Sequence, residues 1–203
     1  MKVLKFGGSS VANTENIKQV LSIVAKTSKD NKVAVVVSAF GKTTNNLIAG
    51  ANEALDNIAT AKEILESIKD LHFQVIDDLV KGNKKEVSEE INSLFNRLQS
   101  IYEGVFLLQE LSDKTLAKVC SFGERLSSYI IANAAKETLN ATHKESRELI
   151  STNDEYLNAQ VNFKITNNNI ISFFNENKHQ VTLLGGFISS NLNKETTTLG
   201  RGG

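Results

Sequence analysis

The run Lys32-Val33-Ala34-Val35-Val36-Val37-Ser38 carries apolar, mostly β-branched residues on both faces of an extended chain. A strand with one face in water alternates polar and apolar positions. A strand without alternation needs cover on both faces, the condition met in a parallel sheet flanked by helices. What precedes the run agrees with this. Val3 and Leu4 begin an apolar stretch, Lys5-Phe6-Gly7-Gly8-Ser9-Ser10 contains a glycine turn, and Ile17, Val20, Leu21 and Val24 recur at helical spacing. Strand, glycine turn, helix and strand in that order predict an open α/β sheet with right-handed crossovers. Ligands of such sheets gather beyond the carboxyl ends of the strands. Both Gly7-Gly8 and the loop from Ser38 to Asn46 fall at that edge.

The first turn is chemically suggestive. Residues without Cβ atoms let backbone N–H groups approach an anion, the following helix offers the positive end of its dipole, and Lys5 adds a full charge. The hexapeptide fits a phosphate cradle and an ordinary βα turn with a solvated lysine equally well.

Composition narrows the classes. The 203 residues hold 23 Lys and Arg against 23 Asp and Glu, so no basic face for nucleic acid is implied. At 40% hydrophobic and 23% charged, the chain reads as a water-soluble globular protein with a substantial core. No apolar run approaches membrane-spanning length and no signal segment is visible. One cysteine, Cys120, leaves no intramolecular disulfide or cysteine-rich metal site, in keeping with a cytoplasmic location. Its spacing from Leu116 and Gly123 reads as a small core position. Proline is absent, so Gly, Asn and Ser must shape the loops.

The middle of the chain is helical. One stripe runs from Ala61 through Ile64, Leu65, Ile68 and Leu71 to Leu79, and stops at Lys81-Gly82-Asn83. A second runs from Ile91 through Leu94, Phe95 and Leu98 to Val105. The two are expected to pair as an antiparallel hairpin laid on the sheet domain, within a helical subdomain of about 52–111, and His72 reads as a surface or packing residue. A third helical segment starts at Asp113 and is expected to be interrupted at Ser121-Phe122-Gly123-Glu124-Arg125. Glu124 and Arg125 point about 100° apart, and spacing alone fits two surface charges as well as a site. The stretch from Thr142 to Ile150 is ambiguous. Val161 and Phe163 suggest a short strand, Ile170 to Phe174 a helix, and Val181 to Leu184 a buried strand entering a second turn, Gly185-Gly186-Phe187. Closing on the glycine loop Gly200-Arg201-Gly202-Gly203 suggests a piece of a longer chain.

Three glycine-rich turns able to converge on one sheet edge, with Lys5, Glu124 and Arg201 in their company, carry a family resemblance. Lys5 to Ser10, Val37-Ser38-Ala39, Thr44-Asn45, Ser121 to Arg125, Gly186-Phe187-Ile188 and Thr196 to Gly203 occur in the order seen in aspartate kinases of the amino-acid kinase superfamily. The helical middle also resembles the aspartokinase portion of bifunctional aspartokinase/homoserine dehydrogenases. The resemblance implies a three-layer αβα sandwich with a mostly parallel sheet, of which residues 1–203 form the amino-acid-binding lobe. The ATP-binding lobe, and any regulatory or dehydrogenase domain, would lie beyond 203, and the chain alone is expected to be inactive.

The implied reaction phosphorylates the side chain of L-aspartate from ATP with Mg2+, the first step toward lysine, threonine and methionine, in a homo-oligomeric enzyme. Lys5 and the amides of Gly7 and Gly8 would stabilise the transferring phosphoryl group. Glu124 would pair with the substrate ammonium and Arg201 with its α-carboxylate. Ser9, Ser38, Thr44, Phe187 and Gly202 would shape the rest of the pocket, supported from behind by Arg125, Ser128 and Arg147. Rival readings are a kinase for glutamate, N-acetylglutamate or a nucleotide monophosphate, and a non-catalytic binding module on the same fold. Two departures stand out. Glu145-Ser146-Arg147 replaces the family's usual Asp-x-Arg, and the Ser-Asp pair that normally follows the last glycine loop is absent.

Overall fold

The computed structural model describes residues 1–200. Four strands form a parallel sheet in the order β1 (Lys2–Phe6), β2 (Val33–Val37), β4 (Val181–Gly185), β3 (Ala141–His143). The register aligns Phe6 with Val37 and Val37 with Gly185, so three strands end level at one edge. That edge is where the glycine turns begin. A separate antiparallel pair, β5 (Ile188–Ser190) and β6 (Thr196–Thr198), follows β4 directly.

The unbroken apolar run of β2 is covered on both faces. Val33, Val35 and Val37 belong to the main core with Ile17, Val20 and Val24 of α1 (Thr14–Ser28) and Leu126 and Ile130 of α5 (Asp113–Lys136). Ala34 faces the other way, into a smaller cluster with Leu149, Leu184 and the α6 (Phe163–Glu176) residues Ile170, Phe173 and Phe174. Helices thus sandwich the sheet, as an α/β fold requires. Among the described residues no helix is long and apolar enough to cross a membrane.

Asparagine and serine do the capping that a proline-free chain needs. Side chains of Asn13, Asn57, Ser112 and Asn162 accept N–H bonds at the starts of α1, α3 (Ile58–Leu79), α5 and α6.

The stripe helices α3 and α4 (Lys84–Leu108) pack together and rest on α2 (Thr43–Asp56), on α5 and, for α3, on α1. Two expectations, at α5 and at Val161–Phe163, are corrected. Helix α2 escapes a hydrophobic-period reading because its buried face is largely small, with Gly50, Ala51 and Ala54 beside Leu47. The fully buried Tyr102 of α4 fills that face and donates its hydroxyl to Leu47 O at 2.8 Å. Helix α5 is continuous through Ser121–Arg125. The expected strand at Val161–Phe163 reduces to one bridge, Thr152 to Val161, because Asn162 caps α6 and Phe163 already begins it. His72 is a packing residue, wholly buried and stacked on Phe40, with Nδ1 2.7 Å from Ile68 O. Cys120 is buried in the core.

Candidate functional site

A cavity of about 290 Å³ opens at the carboxyl edge of the sheet. Lys5 and Gly7 enter from the end of β1, Ser38 from the end of β2, Thr44 and Asn45 from the first turn of α2, and Glu124 from the middle of α5. Gly186 and Phe187 close it from the end of β4, and Gly200 reaches it after β6. The three glycine turns therefore converge. Lys5 and Glu124 are the charged side chains on its wall among the described residues.

Glu124 is the most constrained of these groups. It is 2% exposed; Oε1 accepts the Ala39 N–H at 3.2 Å and, more weakly, the Ser38 hydroxyl at 3.4 Å. Its other oxygen, Oε2, is buried and has no hydrogen-bond partner among the described residues. Burial pushes the carboxyl up to about 7, against the pull of the Ala39 N–H, its own backbone N–H and the Ser38 hydroxyl. A buried carboxylate oxygen left without a donor is costly unless something arrives to meet it.

Gly123 explains how α5 brings Glu124 this close. A Cβ there would lie 2.7 Å from the Ala39 Cβ and 3.2 Å from Thr44 Oγ1, so only glycine lets α5 touch both the loop after β2 and the start of α2. A helical glycine costs about 1 kcal/mol relative to alanine, and here it secures the contact. Gly8 plays a similar part outside the cavity: a Cβ on it would sit 3.2 Å from Gly41 O. The first turn is thereby pressed onto the Ser38–Lys42 loop, with Gly41 N donating to Gly8 O at 3.3 Å. Gly7 is different, since a Cβ there would meet nothing within 4 Å among the described residues. Its backbone borders open space.

Phe187 holds a left-handed conformation with φ 64°, strained for a residue with a side chain. Its carbonyl accepts the Leu199 N–H at 2.8 Å, which fixes the chain entering Gly200. Ser9 lies exposed on the 3-10 turn Gly8–Val11, its carbonyl accepting from the Asn16 side chain at 2.7 Å, outside the cavity lining. Arg201 and Gly202 lie outside the described residues.

Behind the cavity stands a charged cluster. Arg147 Nη2 lies 2.7 Å from Glu145 Oε2, and Arg125 Nε 3.6 Å from the same oxygen. The Arg125 guanidinium also sits over the Phe122 ring, 4.5 Å from its centroid. Burial, and next the like charge of Arg147, push Arg125 down to about 10, with Glu145 opposing. Ser128 Oγ and His143 Nε2 are 3.0 Å apart. Glu124 is thus buried and Arg125 half-buried, against different surfaces, as their 100° offset on one helix allows. Sequence reasoning placed Glu145 only as a departure from a motif and named Asn45 only within the pair Thr44-Asn45, with no site role of its own. Asn45's signal was adjacency to Thr44, whereas the pairing of Glu145 with Arg125 left no local trace.

The model of the amino acid kinase family matches residues 1–203. The chain belongs to that family. It is 32% identical to a bifunctional aspartokinase/homoserine dehydrogenase of Buchnera aphidicola, over 100% of this chain and 25% of that protein. It is 30% identical to the chloroplastic aspartokinase 3 of Arabidopsis thaliana, over 99% of this chain and 36% of that one. Among solved structures, E. coli aspartokinase III in complex with aspartate and ADP superposes with a TM-score of 0.86 at 29% identity, covering 99% of this chain and 44% of that chain. An aspartate kinase of Clostridium acetobutylicum shares the fold at a TM-score of 0.71 and 18% identity. This amino acid kinase family chain therefore spans a quarter to about a third of the length of these two curated relatives.

Proposed function

We propose that this chain is the amino-acid-binding lobe of an aspartate kinase, which transfers a phosphoryl group from ATP to the side-chain carboxylate of L-aspartate to give 4-phospho-L-aspartate and ADP. Glu124 carries the reading. A buried carboxylate with one unpartnered oxygen, on the wall of a cavity it shares with Lys5, suits a ligand that brings its own ammonium. Naming of the relatives as aspartokinases, and the aspartate and ADP bound in the E. coli neighbour, support the same choice.

The chemistry asks little of a base. A substrate β-carboxylate with a pKa near 3.9 is ionised at pH 7 and is already the nucleophile. The work lies in bringing two anions together in line, which is electrostatic and positional. Lys5 and the Gly7-Gly8 turn, whose backbone is open at Gly7, supply positive field where the phosphoryl group passes. The ammonium of the amino acid docks on Glu124. Thr44 sits in the first turn of α2, whose N-terminal end favours negative charge on the ligand. Arg201 and Gly202 would complete the grip on the α-carboxylate. The residues fit a phosphoryl group at the first turn. For Mg2+, the described residues hold no group of three or more His, Cys, Asp or Glu able to bind a metal, so no step here runs through the ion. A homo-oligomeric, cytoplasmic setting belongs to the same proposal.

The test is ADP formation by the protein carrying this chain, offered L-aspartate, L-glutamate, N-acetyl-L-glutamate and UMP, with hydroxylamine trapping of the acyl phosphate. L-Aspartate should be preferred, and Lys5→Ala should lower kcat by about a hundredfold or more. Preference for N-acetyl-L-glutamate, which has no ammonium for Glu124, would show the pocket to be misread.

A further inference from the structure

Two walls of the cavity come from segments far apart in sequence: α5 brings Glu124, and β6 runs through Leu199 into Gly200. One carboxylate joins them. Glu145 Oε2 meets Arg125, the residue next to Glu124 on α5, and also Arg147. Arg147 in turn donates from Nη1 to Thr196 Oγ1 at 2.9 Å, at the start of β6, and its carbonyl accepts the Ser190 hydroxyl of β5 at 2.6 Å. The guanidinium–carboxylate–guanidinium arrangement is largely shielded, with side-chain exposures of 12% for Arg125 and 23% for both Glu145 and Arg147.

We propose that Glu145 is a positioning residue for the amino-acid site: it clamps the β5–β6 pair to α5 and so sets the distance between Gly200, two residues beyond β6, and Glu124. The proposal rests on the functional reading above only for the identity of the ligand.

The physical case is one of charge balance. Two shielded cations on different elements repel at close range, and the repulsion is strong where water is excluded. The shared anion reverses its sign, turning a force that would part α5 from β6 into one that holds them together. Removing one member of such a largely shielded set leaves the others uncompensated. Because Arg147 grips β6 through its side chain and β5 through its carbonyl, its displacement moves the strand that feeds the cavity. The core packing of the sheet, which lies in other clusters, does not depend on it.

The experiment uses the protein carrying this chain with Glu145→Gln, Glu145→Asp and Thr196→Val. Steady-state kinetics with L-aspartate and ATP are read beside hydrogen–deuterium exchange of residues 196–199. Glu145→Gln should raise KM for L-aspartate about tenfold or more while KM for ATP stays within about twofold. Exchange at 196–199 should speed up while that of α5 is unchanged. Glu145→Asp keeps the charge and should recover most of the loss. Thr196→Val, which removes only the hydroxyl that Arg147 holds, should move both readouts in the same direction by less, and it remains informative if Glu145→Gln does not fold. Unchanged exchange at 196–199 in the variants overturns the clamp whatever the ligand. A lowered melting temperature with KM for L-aspartate unchanged reduces Glu145 to a structural residue and also overturns the proposal. Wild-type protein that turns over another amino acid sinks the aspartate reading, while exchange still decides the clamp.

Discussion

Replacing Glu124 with glutamine should stabilise the protein at neutral to alkaline pH, and the gain should vanish in acid. The carboxyl titrates at about 7 in the folded protein against an ordinary 4.5, with burial as the leading cause. A folded-state pKa raised above the unfolded one means that the folded protein holds a proton the unfolded chain has released. Between pH 4.5 and 7 the stability contribution of this group therefore falls as pH rises. The two values lie about two and a half pH units apart, and at about 1.36 kcal/mol per unit the wild-type protein forfeits about 3 kcal/mol above pH 7. At 2% exposure solvent screening removes little of this. Glutamine keeps an oxygen for the Ala39 N–H and carries no charge to desolvate. Urea denaturation of wild type and Glu124→Gln from pH 4 to 8.5 measures the effect. The stability difference should be near its low plateau below pH 4.5 and should grow by about 3 kcal/mol toward pH 8. A difference that stays flat across this range refutes the reasoning, because Glu124 would then be ionised at no cost. An ammonium-bearing ligand should shrink the wild-type deficit and leave the variant unmoved.

Gly123→Ala forces a Cβ to 2.7 Å from the Ala39 Cβ; it should cost about 1–3 kcal/mol in thermal denaturation and weaken ligand binding by displacing the Ala39 N–H from Glu124. Tyr102→Phe removes the bond to Leu47 O and should cost about 1 kcal/mol, read as a lower urea midpoint with an unchanged slope. Burial holds His72 down at about 4 from an ordinary 6.5, so its stability contribution is complete above pH 6.5 and is lost as pH falls toward 4. Its imidazole resonances should therefore show no protonation between pH 7 and 5 in the folded protein. This slope opposes that of Glu124, which is why only the difference between wild type and Glu124→Gln isolates the carboxylate.

Local chemistry fixed a good deal in advance. The unbroken run Val33–Val37 announced a parallel strand covered on both faces, the glycine turns announced the ligand edge, and the long stripes announced α3 and α4, because period and turn preference act within a few residues. Where locality fails, so did the reading. Helix α2 hid behind small residues that become a packing face only when Tyr102 arrives from α4. Gly123 looked like a break in α5 and turned out to be the contact that brings α5 to Ala39.

The sequence by itself determined β1, β2 and β4, most of the helices and the edge at which Lys5, Thr44, Glu124 and Phe187 would gather. Tertiary structure alone decided what those residues are. Glu124 meets Ala39 across 85 residues of chain, and burial there sets its proton affinity. Glu145 joins Arg125 to Arg147 and, through Thr196, to the far wall of the cavity. Solvent exclusion and charge pairing depend on which distant segments close on one another, and only the folded chain specifies that.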